Sequence, residues 1–138
     1  MTVQEYLHFP DELRKKIRDK ENQAAFLRRM MEETHDDAWP ENTDEYSESL
    51  EQAFRSRLLQ VEGELGKDRC YLIQVRLNIA EILLYLPTEE REVLDDRYLK
   101  HMTWRETAEH LGFGKTKCIR LHKKALQFLQ EKAQCIRW

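Results

Sequence analysis

The chain has 138 residues, room for one ordinary domain or a small one with a helical extension, and is 36% charged against 41% apolar. Only four glycines and three prolines punctuate it, which favours long helices with solvated faces over a turn-rich sheet protein. No apolar run approaches the roughly 18 residues that cross a bilayer, and the opening Met-Thr-Val-Gln-Glu lacks the succession of a signal peptide.

An all-α, cytoplasmic protein with no membrane contact is therefore expected. Its net charge of −3 hides a segregation. Residues 1–86 hold 12 Lys and Arg against 18 Asp and Glu, whereas residues 87–138 hold 11 against 8. From Arg97 onward the tally is 10 against 3. An acidic body with a basic end suits a chain that offers one face to a polyanion, although a solvated basic surface gives the same tally.

In chain order, the first helix is expected to start near Pro10, with Asp11 and Glu12 in its positive first turn. Leu13, Ile17, Ala24, Leu27 and Met31 follow heptad-like spacings, with Lys20 as the one polar occupant. The stretch His35 to Asp44 breaks the pattern and reads as a loop, with Trp39 in it as a packing anchor or an exposed ring. A second helix is expected from Tyr46 to Leu86. Leu58, Val61, Leu65, Leu72, Val75, Ile79, Ile82 and Leu86 form its seam, which skips one position at Asp68.

Gly63 and Gly66 each weaken that helix by about 1 kcal/mol relative to alanine, so a kink or break near Gly66 is expected. Beyond it Ile73, Leu77, Ala80, Leu83 and Leu84 add a second apolar face, which must lie in a core. The long seam describes a helical hairpin or coiled coil. It is covered either by the first helix or by the second helix of another chain. The unmatched length of the second helix favours a homodimer through these N-terminal helices. Residues 1–86 are thus read as an assembly region and 87–138 as a separate domain.

That second region opens with Pro87, with Thr88 as a cap and Glu89 and Glu90 in the first turn. Val93, Leu94, Tyr98 and Leu99 face inward. Thr103 and Glu106 have the spacing of a reciprocal capping box, followed by inward Trp104, Thr107, Ala108 and Leu111. Gly112 stands where a helix end wants a left-handed residue, Phe113 plugs the turn, and Gly114 is a weak N-cap.

The last helix buries Cys118, Leu121, Ala125 and either Phe128 or Leu129. Lys115, Thr116, Lys117, Arg120, Lys123 and Lys124 remain on its leading end and outward side. This is the layout of a helix-turn-helix, whose second helix enters the DNA major groove. Arg120 is the candidate reader of a guanine edge, because its planar fork makes two parallel hydrogen bonds there. Lys115 and Thr116 are placed for bases or backbone; Lys117, Lys123 and Lys124 for phosphates. Thr103 and Trp104 complete the candidate DNA-binding residues.

Cys70, Cys118 and Cys135 are far apart with no ligand spacing and read as free thiols, Cys118 packing as a small apolar residue. His8, His35, His101, His110 and His122 are scattered, and there is no glycine-rich phosphate loop. No catalytic residue, metal site or cofactor is expected, and the chain is read as no enzyme. His122, on the basic helix, is read as solvated or touching phosphate.

Leu86-Pro87, Arg91, Val93-Leu94, Arg97-Tyr98, Thr103 through Leu111-Gly112, and Ile119 through Lys124-Ala125-Leu126 with Leu129 resemble the C-terminal domain of bacterial sigma factors. That domain reads the −35 promoter element. The resemblance places Lys115, Thr116, Lys117 and Arg120 at DNA-contacting positions. Gly114 stands where the family has Ser or Thr, and Thr107 where it has an aliphatic residue. The whole layout is similar to sigma-like phage and prophage activators related to ArpU and RinA. It implies a sequence-specific regulator of phage genes bound to double-stranded DNA, with RNA polymerase as a further partner. A polymerase-binding adaptor without DNA contact and a small terminase-type packaging subunit are the alternatives.

Overall fold

The computed structural model describes residues 2–34 and 44–133. Among them are five α-helices and no strand: α1 (Val3–Thr34), α2 (Asp44–Leu83), α3 (Thr88–Leu94), α4 (Trp104–Leu111) and α5 (Lys115–Lys132). The all-α expectation holds. The expected loop at His35 to Asp44, with Trp39, lies outside the described residues up to Asp44, where α2 begins; so does Cys135.

Contacts group the chain into two units, one of Glu12–Leu72 and one of residues up to Asp11 together with those from Ile73 onward. The expected division lay at Leu86/Pro87. The difference arises because the ends of two helices supply core to the C-terminal unit: Val3 and Leu7 from α1, and Val75, Ile79, Ile82 and Leu83 from α2, are all buried.

The Glu12–Leu72 unit is a helical hairpin. Ile17, Ala24 and Leu27 of α1 cluster with Val61 and Leu65 of α2, and Phe54, Leu58 and Leu72 pack against them. Burying each large side chain in such a seam stabilises it by roughly 1.5–3 kcal/mol. Of the two occupants left open for this seam, α1 of the same chain fills it. The two polar exceptions on the seam meet each other: Lys20 Nζ lies 2.6 Å from Asp68 Oδ2 and 3.6 Å from Glu64. The hydrogen bond to Asp68 raises the Lys20 pKa above its usual value, against the opposing effect of desolvation. Such a pair fixes the register of a helical seam. No break occurs at Gly66: α2 passes through both glycines as one helix.

In the C-terminal unit, α1 starts at Val3, seven residues before Pro10, because a reciprocal capping box precedes it. The Glu5 N–H donates to Thr2 Oγ1, and the Thr2 N–H donates to the Glu5 carboxylate, both at 3.2 Å. Pro10 sits inside the helix with its ring fully buried. The second apolar face expected of α2 is mostly outside the core. Leu83 is buried, but Ile73, Leu77 and Leu84 are exposed. After Leu83 three successive i→i−3 bonds, from Leu84, Tyr85 and Leu86, tighten the chain before Pro87 stops it.

Candidate nucleic-acid interface

Pro87, with ψ 154°, is the N-cap of α3 and no side chain caps it, so Thr88 is the first helical residue and not the expected cap. Glu89 and Glu90 do occupy the first turn, and Val93 and Leu94 are fully buried. A five-residue π-helical stretch, Asp95–Leu99, follows directly. Its wider turn carries the Lys100 N–H to the Asp95 carbonyl and the Met102 N–H to that of Asp96. Nothing in the hydrophobic pattern announces it.

This stretch turns Asp96 and Tyr98 inward. Asp96, 1% exposed, lies 2.7 Å from His110 Nδ1 on α4 and 3.6 Å from Lys100 Nζ. Tyr98 shares a 2.6 Å hydrogen bond with His122 Nε2 on α5. The His122 ring also meets the Trp104 ring edge-on, with centroids 5.0 Å apart. From the other direction the Arg97 guanidinium lies 4.3 Å over the Trp104 ring and donates to the Met102 carbonyl at 2.6 Å.

His122 is therefore a packed aromatic, not the solvated residue expected. Desolvation, helped by the positive charge of Arg97, lowers its pKa to about 4. Neutral at physiological pH, it supplies no charge for a phosphate. Burial raises the Tyr98 hydroxyl and, chiefly, the Cys118 thiol as well.

Thr103 is the N-cap of α4 as expected, accepting from the Glu106 N–H at 3.2 Å. The reciprocal half differs: the Glu106 carboxylate accepts the Thr103 hydroxyl, 3.1 Å away, in place of a backbone N–H. Gly112 ends α4 at φ +70°, and the Gly112 and Phe113 N–H groups both converge on the Ala108 carbonyl. Thr107, where the resembled family has an aliphatic residue, is fully buried and its hydroxyl finds no partner among the described residues.

Only Gly112, Phe113 and Gly114 separate α4 from α5. Cys118, Leu121, Ala125 and Leu129 form the buried stripe of α5, Leu129 and not Phe128 taking the last place. Opposite it Lys115, Thr116, Arg120, Lys123 and Lys124 are exposed. Gly114 caps α5 through its backbone alone, and no acidic residue stands in the first turn. The leading N–H groups thus carry neither a side-chain acceptor nor a neutralising carboxylate, and the helix dipole adds to the side-chain charge.

The six candidate residues of α5 are therefore brought to one end and one side of a single helix, while Thr103 and Trp104 open α4. Trp104 is mainly packed between Arg97 and His122. Among the described residues Lys115, Arg120 and Lys123 have no ionic partner. Lys117 is drawn inward, 3.8 Å from Glu89 and 4.0 Å above the Phe113 ring. Lys124 lies 3.6 Å from Glu90, a carboxylate that is itself buried. Sequence reasoning missed the Arg97–Trp104–His122–Tyr98 cluster. Its only trace was Tyr98 and Trp104 on the inward faces of their segments.

Two helices joined by a three-residue glycine turn, the second cationic and without a side-chain cap, make a helix-turn-helix. Residues 82–131 match the family model described as sigma-70, region 4. The match runs from the last residues of α2 to the end of α5, about a third of the chain. No curated protein and no solved structure matches the chain significantly. The sigma region 4 domain thus includes α3 and the π-helical stretch as support for the α4–α5 pair. Among the described residues no helix is long and apolar enough to cross a membrane.

Proposed function

We propose that this chain is a sequence-specific DNA-binding transcription regulator that activates phage or prophage genes as a homodimer in the cytoplasm, with no catalytic step and no cofactor. The observation that carries this reading is the leading end of α5, exposed, uncapped by any side chain and free of carboxylates in its first turn, within a sigma region 4 domain. Phosphates meet that end through backbone N–H groups, Lys115 and Lys123, while Arg120 reaches base edges. The likeness of the whole layout to ArpU- and RinA-related activators supports the phage assignment, and RNA polymerase is the further partner that the likeness suggests.

Selecting bound duplexes from a random pool tests the reading. The account expects an enriched motif, and Arg120→Ala should weaken binding to it by about 10–100-fold while relaxing preference at one base pair. A pool that shows no enrichment at low salt contradicts it.

A second reading, a polymerase-docking adaptor, is favoured by the pairing of Lys117 with Glu89 and Lys124 with Glu90, which engages two of the cations within the domain. Polymerase capture without DNA affinity selects this second reading.

A further inference from the structure

The outward face of α2 is uncharged over an unusual length. Ile73, Leu77 and Leu84 are 66%, 52% and 66% exposed, with Ala80 half-buried among them. Leu84 is the first residue past the helix end. Their spacings of 4, 3 and 4 are those of alternating seam positions in a coiled coil. The same spacing runs back along α2 through Cys70, Gly66, Gly63 and Leu59, each exposed. Eight successive seam positions without a charge stand out in a chain that is 36% charged. Nothing among the described residues explains the glycines, since a Cβ at Gly63 or Gly66 meets none of their atoms within 4 Å.

We propose that this stripe is the interface with a second copy of the chain, the two α2 helices lying parallel and in register. The proposal rests on the homodimer part of the reading above and replaces its surface, because the seam first expected to mediate assembly is filled by α1.

The charges flanking the stripe choose the occupant and its direction. In a parallel coiled coil each residue just before an a position meets the residue five further on in the partner helix. With Gly63, Cys70, Leu77 and Leu84 at a, this rule pairs Arg76 with Glu81 of the second copy. It also pairs Glu62 with Lys67, and Arg69 with neutral Gln74. Every charged pair is opposite in sign, and each occurs twice by symmetry. An antiparallel arrangement that sets Cys70 against Ile73 instead brings Arg69 against Arg76 twice along one edge. A stripe whose edges complement themselves in one direction fits another copy of this chain. The existing contacts of these edge residues are exposed and exchangeable. Glu62 pairs with Arg28, Arg69 with Glu21, and Arg76 donates to the Leu99 carbonyl at 3.3 Å.

Sedimentation equilibrium of the full chain tests the proposal. Wild type is expected to be dimeric, and Ile73→Asp/Leu77→Asp monomeric at the same concentration with unchanged helical circular dichroism, because both positions are exposed. Arg76→Glu should raise the dimer dissociation constant about tenfold, and adding Glu81→Arg should restore it. In a Cys135→Ser background mild oxidation should link Cys70 to Cys70 of the second copy, since a positions face each other only in the parallel arrangement. A monomeric wild type, a dimer that survives both aspartates, or a dimer in which Cys70 resists linkage overturns the proposal. Loss of DNA binding with the dimer and its Cys70 link intact sinks the regulator reading and leaves this one standing.

Discussion

The hairpin of residues 12–72 admits one charged pair, Lys20–Asp68, to an otherwise apolar seam, whereas the C-terminal unit buries Glu90, Asp96 and Thr107. The hairpin gains its stability from repetition, each turn of α1 meeting a turn of α2 through the same apolar spacing. The C-terminal unit sets two short helices, α3 and α4, and a π-helical stretch against the 18-residue α5, and these pieces are too short to be set by repetition. Directional contacts orient them: Asp96 to His110, Tyr98 to His122, Arg97 over Trp104, Glu90 to Lys124. A binding helix must be held at a defined angle, and directional contacts specify angles where apolar contacts alone do not.

The comparison breaks most visibly at the apolar cores. Leu65→Ala in the hairpin and Leu94→Ala in the C-terminal unit should each cost about 2–5 kcal/mol in chemical denaturation, and only the second should also lower DNA affinity near its midpoint. Asp96→Ala comes next. It removes the partner of His110 and Lys100 from a buried position and should cost about 1–3 kcal/mol, while Lys20→Met/Asp68→Leu together should be near neutral. Gly112→Ala meets no atom but forces a left-handed backbone on alanine, for about 1–2 kcal/mol.

The pH dependence separates the units further. His122 has a lowered pKa, so its contribution to stability is complete above the ordinary histidine range and is lost as pH falls from about 6.5 towards about 4. Proton NMR should show the His122 ring titrating near pH 4 and the loss of stability confined to the C-terminal unit; a midpoint near 6.5 contradicts the packed ring. The smallest effect is expected of Thr107→Val. It removes a buried hydroxyl with no partner at nearly constant shape and should be neutral or slightly stabilising on thermal melting.

Periodicity and punctuation made much of this legible from the chain. The seam Leu58 to Ile82, the Thr103 cap, the left-handed Gly112 and the buried stripe from Cys118 all follow local rules, and they appear where those rules put them. Pro10 is a strong start signal, but the Thr2–Glu5 box starts α1 at Val3, seven residues before it. The face of α2 at Ile73 and Leu77 was expected inside because apolar spacing reports a contact surface without saying whose. Tyr98 was legible as an inward residue, but the Asp96–His110 and Tyr98–His122 contacts were not, because they depend on a π-helical turn that shifts the register by one residue and leaves no repeating pattern. The candidate DNA residues were legible as a charge pattern. Their inequality was not, since Lys117 and Lys124 find carboxylates only once α3 lies beside α5.

The most direct test of the central claim is the affinity of wild type and Arg120→Ala for a selected duplex and a scrambled one, by fluorescence anisotropy across a salt series. The account predicts tight, salt-dependent binding of the selected duplex, a loss of about 10–100-fold on substitution, and a scrambled-site affinity almost unchanged. Equal binding of both proteins to both duplexes would mean that the leading end of α5 does not read DNA.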